Sequence, residues 1–250
     1  MKNIIFKKRI SLSKYTTIKV GGLAEYFAQP NNSYELINLI KWANNNNQEC
    51  RIIGAGSNLL INNITLKGLT ICTKKVRNIK IEPITGLIEA DAGVMLPTIS
   101  NLLAKNGLQG GEWTVGVPGT IGGAVFMNAG SGNLSLANNL LSVKTIDKKT
   151  LEISEIPLKD IDFKYRFSPF QQNNLIILSS KLQFKPMGNI EQLLKTTQNN
   201  LKRKTESQPY HLPSFGSVFK NPVNTHAGKL IDELGLKGLK IGGAEISKMH

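Results

Sequence analysis

Arginine, histidine, cysteine and long apolar runs are all scarce in this chain. Arg occurs only as Arg9, Arg51, Arg77, Arg166 and Arg203, so the net charge of +14 over 250 residues is carried almost wholly by Lys. Lys lacks the planar fork that reads phosphates and base edges bidentately. The lysines are also scattered, with no run longer than Lys7-Lys8-Arg9 or the Lys202-Arg203-Lys204 cluster and no aromatic interleaving. The charge therefore favours attraction of anionic small molecules such as nucleotides over a DNA- or RNA-binding role. The three histidines, His211, His226 and His250, show neither triad nor metal spacing, and no Gly-x-Ser-x-Gly elbow is present. Cys50 and Cys72 have no metal spacing either, and two thiols in a chain of this size suggest a reducing compartment, by default the cytoplasm. No run of eighteen apolar residues appears, so no membrane-spanning helix is predicted. Met1 to Ile10 lacks the long apolar centre of a secretory signal.

What the chain does have is glycine, concentrated in one place. Gly110 to Gly130 holds seven glycines and one charged residue, Glu112. A surface linker would be more polar, and each Gly inside a helix costs roughly 1 kcal/mol against Ala. Apolar residues fill the gaps, so the stretch reads as buried, with Pro118-Gly119 as a turn. A buried backbone with few side chains has N–H groups to satisfy. A polar cofactor is one solution and a tight core turn is the other.

The length allows two domains and a third small one, and a hydrophobic fraction of 40% supports a core. Thr16 to Val20 predicts a short strand entering a Gly21-Gly22 turn. Tyr34 to Asn44 has helical apolar spacing after the cap candidates Asn32 and Ser33. Cys50 to Ile53 reads as a buried strand and runs straight into Gly54-Ala55-Gly56-Ser57-Asn58. That loop offers successive N–H groups and two polar side chains to an anion. It lacks the third glycine of a dinucleotide fingerprint, and a plain hairpin turn suits it as well. Residues 69–73, 79–81 and 87–93 alternate as strands, and Pro97 to Asn106 is a helix candidate. Val143–Ile146 and Leu151–Ile153 straddle a hairpin signal.

Phe163 to Phe170 sets Arg166 among Phe163, Tyr165, Phe167 and Phe170. An Arg in such company usually meets a carboxylate, either a structural Asp or Glu or a ligand. Leu175–Leu178 and Leu182–Phe184 read as strand, and Asn189 to Leu201 as helix. A basic, Pro-punctuated linker over 202–213 follows, then Ser214-Phe-Gly-Ser-Val-Phe-Lys-Asn-Pro222 and a helix from Ala227 closed by Gly235.

Six ordered blocks together carry a resemblance. They are Thr16-Thr-Ile-Lys-Val-Gly-Gly22, Gly54-Ala-Gly-Ser-Asn-Leu-Leu60, Gly116-Val-Pro-Gly-Thr-Ile-Gly-Gly-Ala-Val-Phe-Met-Asn-Ala-Gly130, Phe163-Lys-Tyr-Arg-Phe-Ser168, Ser214 to Pro222, and Leu236-Lys-Gly-Leu-Lys-Ile-Gly-Gly-Ala-Glu-Ile-Ser247. Across essentially its whole length the chain resembles the UDP-N-acetylenolpyruvoylglucosamine reductase family of bacterial cell-wall synthesis. The resemblance implies an α+β, vanillyl-alcohol-oxidase/PCMH-like FAD-binding fold. Its two subdomains would span about 1–73 and 74–187, with a small α+β substrate domain over about 188–250. It implies a cytoplasmic oxidoreductase using FAD and NADPH on a sugar-nucleotide substrate, with no metal, nucleic acid, membrane or obligate protein partner. In such enzymes NADPH reduces FAD, hydride passes to the vinyl CH2 carbon, and a proton reaches its neighbour.

By position in the blocks, Gly54, Ala55, Gly56, Ser57, Asn58, Gly116, Pro118, Gly119, Thr120, Gly122 and Gly123 would hold the flavin. Ser217 would be the proton donor and Arg166 the group polarising the substrate carboxylate. Asn221 and Lys237 would contact substrate. The family's third catalytic residue is a Glu beyond the Ser-x-x-His block, in which this chain ends, and Glu245 lies too early to be it. The resemblance thus carries a second expectation, of a flavin-binding, catalytically impaired fragment truncated at its C-terminus. The short gap from Arg166 to Ser217 matches the family's shorter type, without a tyrosine-bearing loop, and after Gly130 the sequence departs from the family by reading Ser131-Gly132.

Overall fold

The computed structural model describes residues 6–186 and 188–250. The first part of the chain forms β1 (Lys7–Ser11), β2 (Leu23–Ala28), α1 (Ser33–Asn45), β3 (Cys50–Ile53) and β4 (Thr65–Cys72). Asn32 starts α1 by accepting the Glu35 N–H at 2.9 Å, while the Glu35 carboxylate reaches back to Asn31. Leu36, Leu39, Ile40 and Ala43 give the helix its buried face. That face lies on a sheet of order β1-β2-β4-β3, in which β4 runs parallel to both β2 and β3 and β1 is the antiparallel edge. Because β3 and β4 are parallel, the Gly54 loop between them is a crossover and not a hairpin turn.

The strand expected before Gly21-Gly22 is instead a 3-10 turn, Leu12–Tyr15, and an irregular segment, with β2 starting only after the glycines. Local bonds divert the backbone: Thr16 Oγ1 donates to the Val20 carbonyl at 2.8 Å, and Leu12 N–H reaches the Gly22 carbonyl at 2.8 Å. A side chain at Gly22 would strike the Ile64 backbone, so the glycine is a close-approach residue.

The second part adds β5 (Ile79–Glu82), β6 (Leu87–Asp91), α2 (Leu96–Lys105), β7 (Leu108–Gln109), α3 (Ile121–Phe126), β8 (Gly130–Ser131), β9 (Leu134–Ser135), β10 (Leu140–Asp147), β11 (Ile153–Pro157), β12 (Leu175–Gln183) and β13 (Lys185–Pro186). Five of these strands make an antiparallel sheet of order β11-β10-β12-β6-β5. Its central strand β12 is apolar along most of its length because both faces are covered. A register shift opposite Lys144/Thr145 turns Ile177 and Leu182 toward α2 and α3, and Ile176 and Leu178 toward α1. One core therefore joins the two sheets: Leu36, Ile40, Leu69 and Ile71 pack with Ile146, Ile176 and Leu178. Each such side chain contributes about 1.5–3 kcal/mol on burial, which fixes the sheets against each other.

The last part is α4 (Ile190–Ser207), α5 (Ala227–Glu233) and a small hairpin of β14 (Lys240–Ile241) with β15 (Ala244–Glu245). The helix α4 runs through the first half of the stretch expected as a basic linker, to Ser207, and residues 208–213 are non-helical. Lys, Arg and Glu are good helix formers, and the first breaker is Pro209. Its buried residues, Leu193 and Thr197, face the second part of the molecule, and its Lys204 stem covers Gly116.

Candidate active site

The two predicted glycine loops meet. Gly54, at the end of β3, lies so close to the Thr120 side chain that a Cβ there would overlap the Thr120 hydroxyl oxygen, and Ser57 stands opposite Gly119. Thr120 is the N-cap of α3: its Oγ1 accepts the Gly123 N–H at 3.3 Å. α3 tolerates Gly122 because a Cβ on it would stand 2.9 Å from that of Ala92, whose carbonyl accepts the Gly122 N–H at 2.8 Å. Gly56 has φ of +71° and packs on the Tyr15–Thr16 backbone. These glycines serve close approach within the protein. Gly119 and Gly123, by contrast, face open space apart from Ser57 and Thr120 side-chain oxygens at 3.9 and 3.5 Å.

The backbone donors around this junction are what a ligand would use. Among the described residues, the N–H groups of Ala55, Gly56, Ser57, Asn58 and Thr120 find no acceptor, and neither do the side chains of Ser57 and Asn58. Gly56 and Thr120 are buried. Consecutive unspent amides in a glycine loop form a concavity suited to an anion, so the residues present fit the pyrophosphate of a dinucleotide cofactor. Gly116 points elsewhere: its Cα faces Lys204, and its carbonyl accepts the Tyr210 hydroxyl at 2.8 Å.

The first, fourth and fifth blocks are tied to these loops or to one another. Thr17 donates its N–H to the Gly56 carbonyl at 3.2 Å, and its own carbonyl accepts the Ser214 N–H at 3.3 Å. Arg166 Nη2 donates to the Gly130 carbonyl at 2.9 Å, and its guanidinium stands 5.2 Å from the Tyr165 ring centre. No carboxylate pairs with Arg166 among the described residues, which leaves its remaining donors to a ligand. Arg166 also has φ of +55°, a conformation that costs a non-glycine residue of order 1–3 kcal/mol and persists where the surroundings enforce it. The Asn221 N–H reaches the Tyr165 hydroxyl at 3.5 Å, so the Ser214–Pro222 segment is tied beside the Arg166 turn.

Ser217 is exposed in this segment and makes no hydrogen bond among the described residues. Asn221 Oδ1 accepts the Ala227 N–H at 3.1 Å at the start of α5, and Lys237 pairs with Asp232 at 2.7 Å. The sixth block lies in the β14–β15 hairpin, apart from the two loops. Burial pushes the Tyr210 phenol up, and burial followed by nearby Cys72 does the same to Tyr15; both therefore remain neutral hydrogen-bonding groups beside the loops.

A family model described as "FAD binding domain" matches residues 24–152, and one described as "UDP-N-acetylenolpyruvoylglucosamine reductase, C-terminal domain" matches 208–250. A protein named UDP-N-acetylenolpyruvoylglucosamine reductase in Prochlorococcus marinus subsp. pastoris is 76% identical over 250 residues, covering 100% of this chain and 84% of the relative. The chain belongs to the UDP-N-acetylenolpyruvoylglucosamine reductase family. A relative of the same name from Prochlorococcus marinus strain MIT 9313 is 46% identical over 96% of this chain and 78% of its own length. The crystal structure of the reductase from Thermus caldophilus superposes with a TM-score of 0.81 at 30% identity, covering 98% of this chain and 86% of that one. Membership in the reductase family makes the chain an α+β FAD-dependent oxidoreductase, and the first family model spans both glycine loops.

Three connecting residues had no role assigned from sequence, although Thr17 and Asn128 lie inside two of the six blocks. Thr17, Asn128 and Tyr210 each bond backbone atoms far away in sequence, and only their adjacency to the glycine and Pro signals could have drawn notice.

Proposed function

We propose that this chain catalyses the NADPH-dependent reduction of UDP-N-acetylglucosamine enolpyruvate to UDP-N-acetylmuramate in the cytoplasmic stage of peptidoglycan synthesis. The observation that carries the reading is the junction of the two glycine loops, with five N–H groups unspent and the Arg166 and Ser214–Pro222 segments tied around it. Bound FAD supplies the two-electron chemistry that links NADPH to the enolpyruvyl double bond. Gly54 to Asn58 and Pro118 to Gly123 hold its phosphates, with Gly116 supporting the second loop from behind. Arg166 grips the substrate carboxylate and stabilises the negative charge that grows on it as the adjacent carbon becomes electron-rich. The Ser217 hydroxyl delivers the proton to that carbon. Asn221 offers its side-chain amide, and Lys237 reaches substrate only after leaving Asp232. Residues up to about 73 and from 74 to 187 form the flavin-binding subdomains, and those from about 188 carry the substrate.

The test is to incubate the purified chain with FAD, desalt it and record the visible spectrum, then add NADPH and the enolpyruvyl substrate in turn. Retained flavin that NADPH bleaches and substrate restores is the expected result. A folded but colourless chain, or one whose bound flavin ignores NADPH, overturns the reading. Saturating FAD at a hundredfold its Kd also stabilises the fold by about 2.7 kcal/mol, readable as a raised Tm.

A further inference from the structure

The turn that presents Arg166 is gripped by side chains that have no part in the reaction itself. Lys164 and Phe167 exchange backbone hydrogen bonds, each 3.1 Å, so Tyr165 and Arg166 are the two central residues of a tight turn. Arg166 occupies the second central position with φ of +55°, where glycine is the usual choice. An arginine stays there only if the turn is held from outside.

Asn128 supplies the grip from the far side. Its Nδ2 donates to the Lys164 carbonyl at 3.0 Å, and its Oδ1 accepts the Ala137 N–H at 3.4 Å. It is 7% exposed, lies just past the end of α3, and has φ of +41° itself. Two further bonds hold the outgoing strand of the turn: Ser168 Oγ and Gln171 Nε2 both donate to the Phe126 carbonyl, at 2.7 and 2.8 Å. The Arg166 turn is thereby fastened to the C-terminal end of α3, the same helix whose first residue follows the Thr120 cap.

We infer that Asn128 is a positioning residue for Arg166: its amide clamps the carbonyl that opens the turn, so the guanidinium is aimed before substrate arrives. The inference rests on the reading of Arg166 as the carboxylate-binding group. A side chain that merely satisfied the core would affect every ligand alike, whereas a clamp on Arg166 affects the carboxylate alone.

Asn128→Gly separates the two, because glycine adopts the positive φ freely and removes the amide. The FAD-loaded chain is titrated with UDP-N-acetylglucosamine enolpyruvate and with UDP-N-acetylglucosamine, which lacks the carboxylate, following the flavin spectrum. The quantity read is the ratio of the two affinities. In Asn128→Gly the preference for the enolpyruvyl ligand falls on the order of tenfold, the size of one misaligned charge-assisted bond. Affinities for FAD and UDP-N-acetylglucosamine stay within about twofold. Should Asn128→Gly fail to hold FAD, Asn128→Asp at alkaline pH keeps the Ala137 acceptor while losing the donor, and the same fall is expected. A ratio unchanged by these variants but lowered by Arg166→Ala overturns the inference and leaves the role of Arg166 standing. A proportional loss for both ligands and FAD also overturns it. A ratio unchanged by Arg166→Ala overturns the reading of Arg166 and this inference with it.

Discussion

Gly56 and Gly119 look equivalent as letters in two glycine-rich loops, yet their surroundings assign them opposite tasks. Gly56 is buried at φ of +71° against the Tyr15–Thr16 backbone. Gly56→Ala should cost about 1–3 kcal/mol through strain and overlap, seen as a lowered Tm and lost flavin. Gly119→Ala meets only the Ser57 hydroxyl at 3.9 Å. Its unfolding free energy should stay within about 0.5 kcal/mol of the parent's while FAD retention falls, because the added methyl stands where a ligand approaches. Unchanged flavin retention in Gly119→Ala would remove that glycine from the cofactor cradle. The sequence marked both loops and singled out Arg166 by its aromatic company. It carried no sign of the positive φ at Arg166 or of the bonds from Thr17 and Asn128, because those partners lie 39 and 36 residues away.

Among the described α-helices, α3 is the shortest, yet it ties the two glycine loops and the Arg166 turn together. Thr120 caps it and fills the space beside Gly54, so one side chain joins a loop of the first sheet to a helix on the second. Thr120→Val keeps the shape and removes the cap, at about 1 kcal/mol. Thermal unfolding should show that loss, and flavin should wash out faster on desalting; flavin retention equal to the parent's would mean that the cap does not set the loop. Most elements were legible from apolar periodicity: α1 with its Asn32 cap and α5 before Gly235 form as the pattern predicts. The hairpin is present, but its second strand is Ile153–Pro157 because Leu151, at φ of +64°, and Glu152 lie in the connection. The readings that failed did so for local and tertiary reasons together. The Thr16–Val20 segment spends its bonds on a local turn and the Gly54 loop, and the 202–207 stretch is wound into α4 because Lys204 has Gly116 to lie on.

For the molecule as a whole, the core shared by α1 and both sheets brings ionisable groups into an apolar setting. Burial pushes the half-buried Cys50 thiol from its ordinary 9.0 up to about 11, despite lowering by Lys148 and Arg51. Outside that core, partial burial also raises the Tyr15 and Tyr210 phenols. A group whose folded-state pKa is raised binds more protons in the fold than in the open chain. Its stabilising contribution is complete below the unfolded pKa and is lost as pH climbs through the folded one. Stability should therefore decline between about pH 9 and 11, and Cys50→Ala should flatten the early part of that decline in denaturant titrations. An identical slope in parent and variant would show that Cys50 does not contribute.

The contact of Gly116 with Lys204 and Tyr210 makes cofactor occupancy readable by a protease. The peptide that runs from Gly116 into the Val117–Thr120 loop is also the surface on which the last turn of α4 rests. Filling the loop from one side steadies the helix end on the other. Trypsin, which cuts after Lys202, Arg203 and Lys204 only once that turn unwinds, should digest the FAD-loaded chain more slowly at these bonds than the FAD-free chain. Tyr210→Phe should narrow the gap between the two.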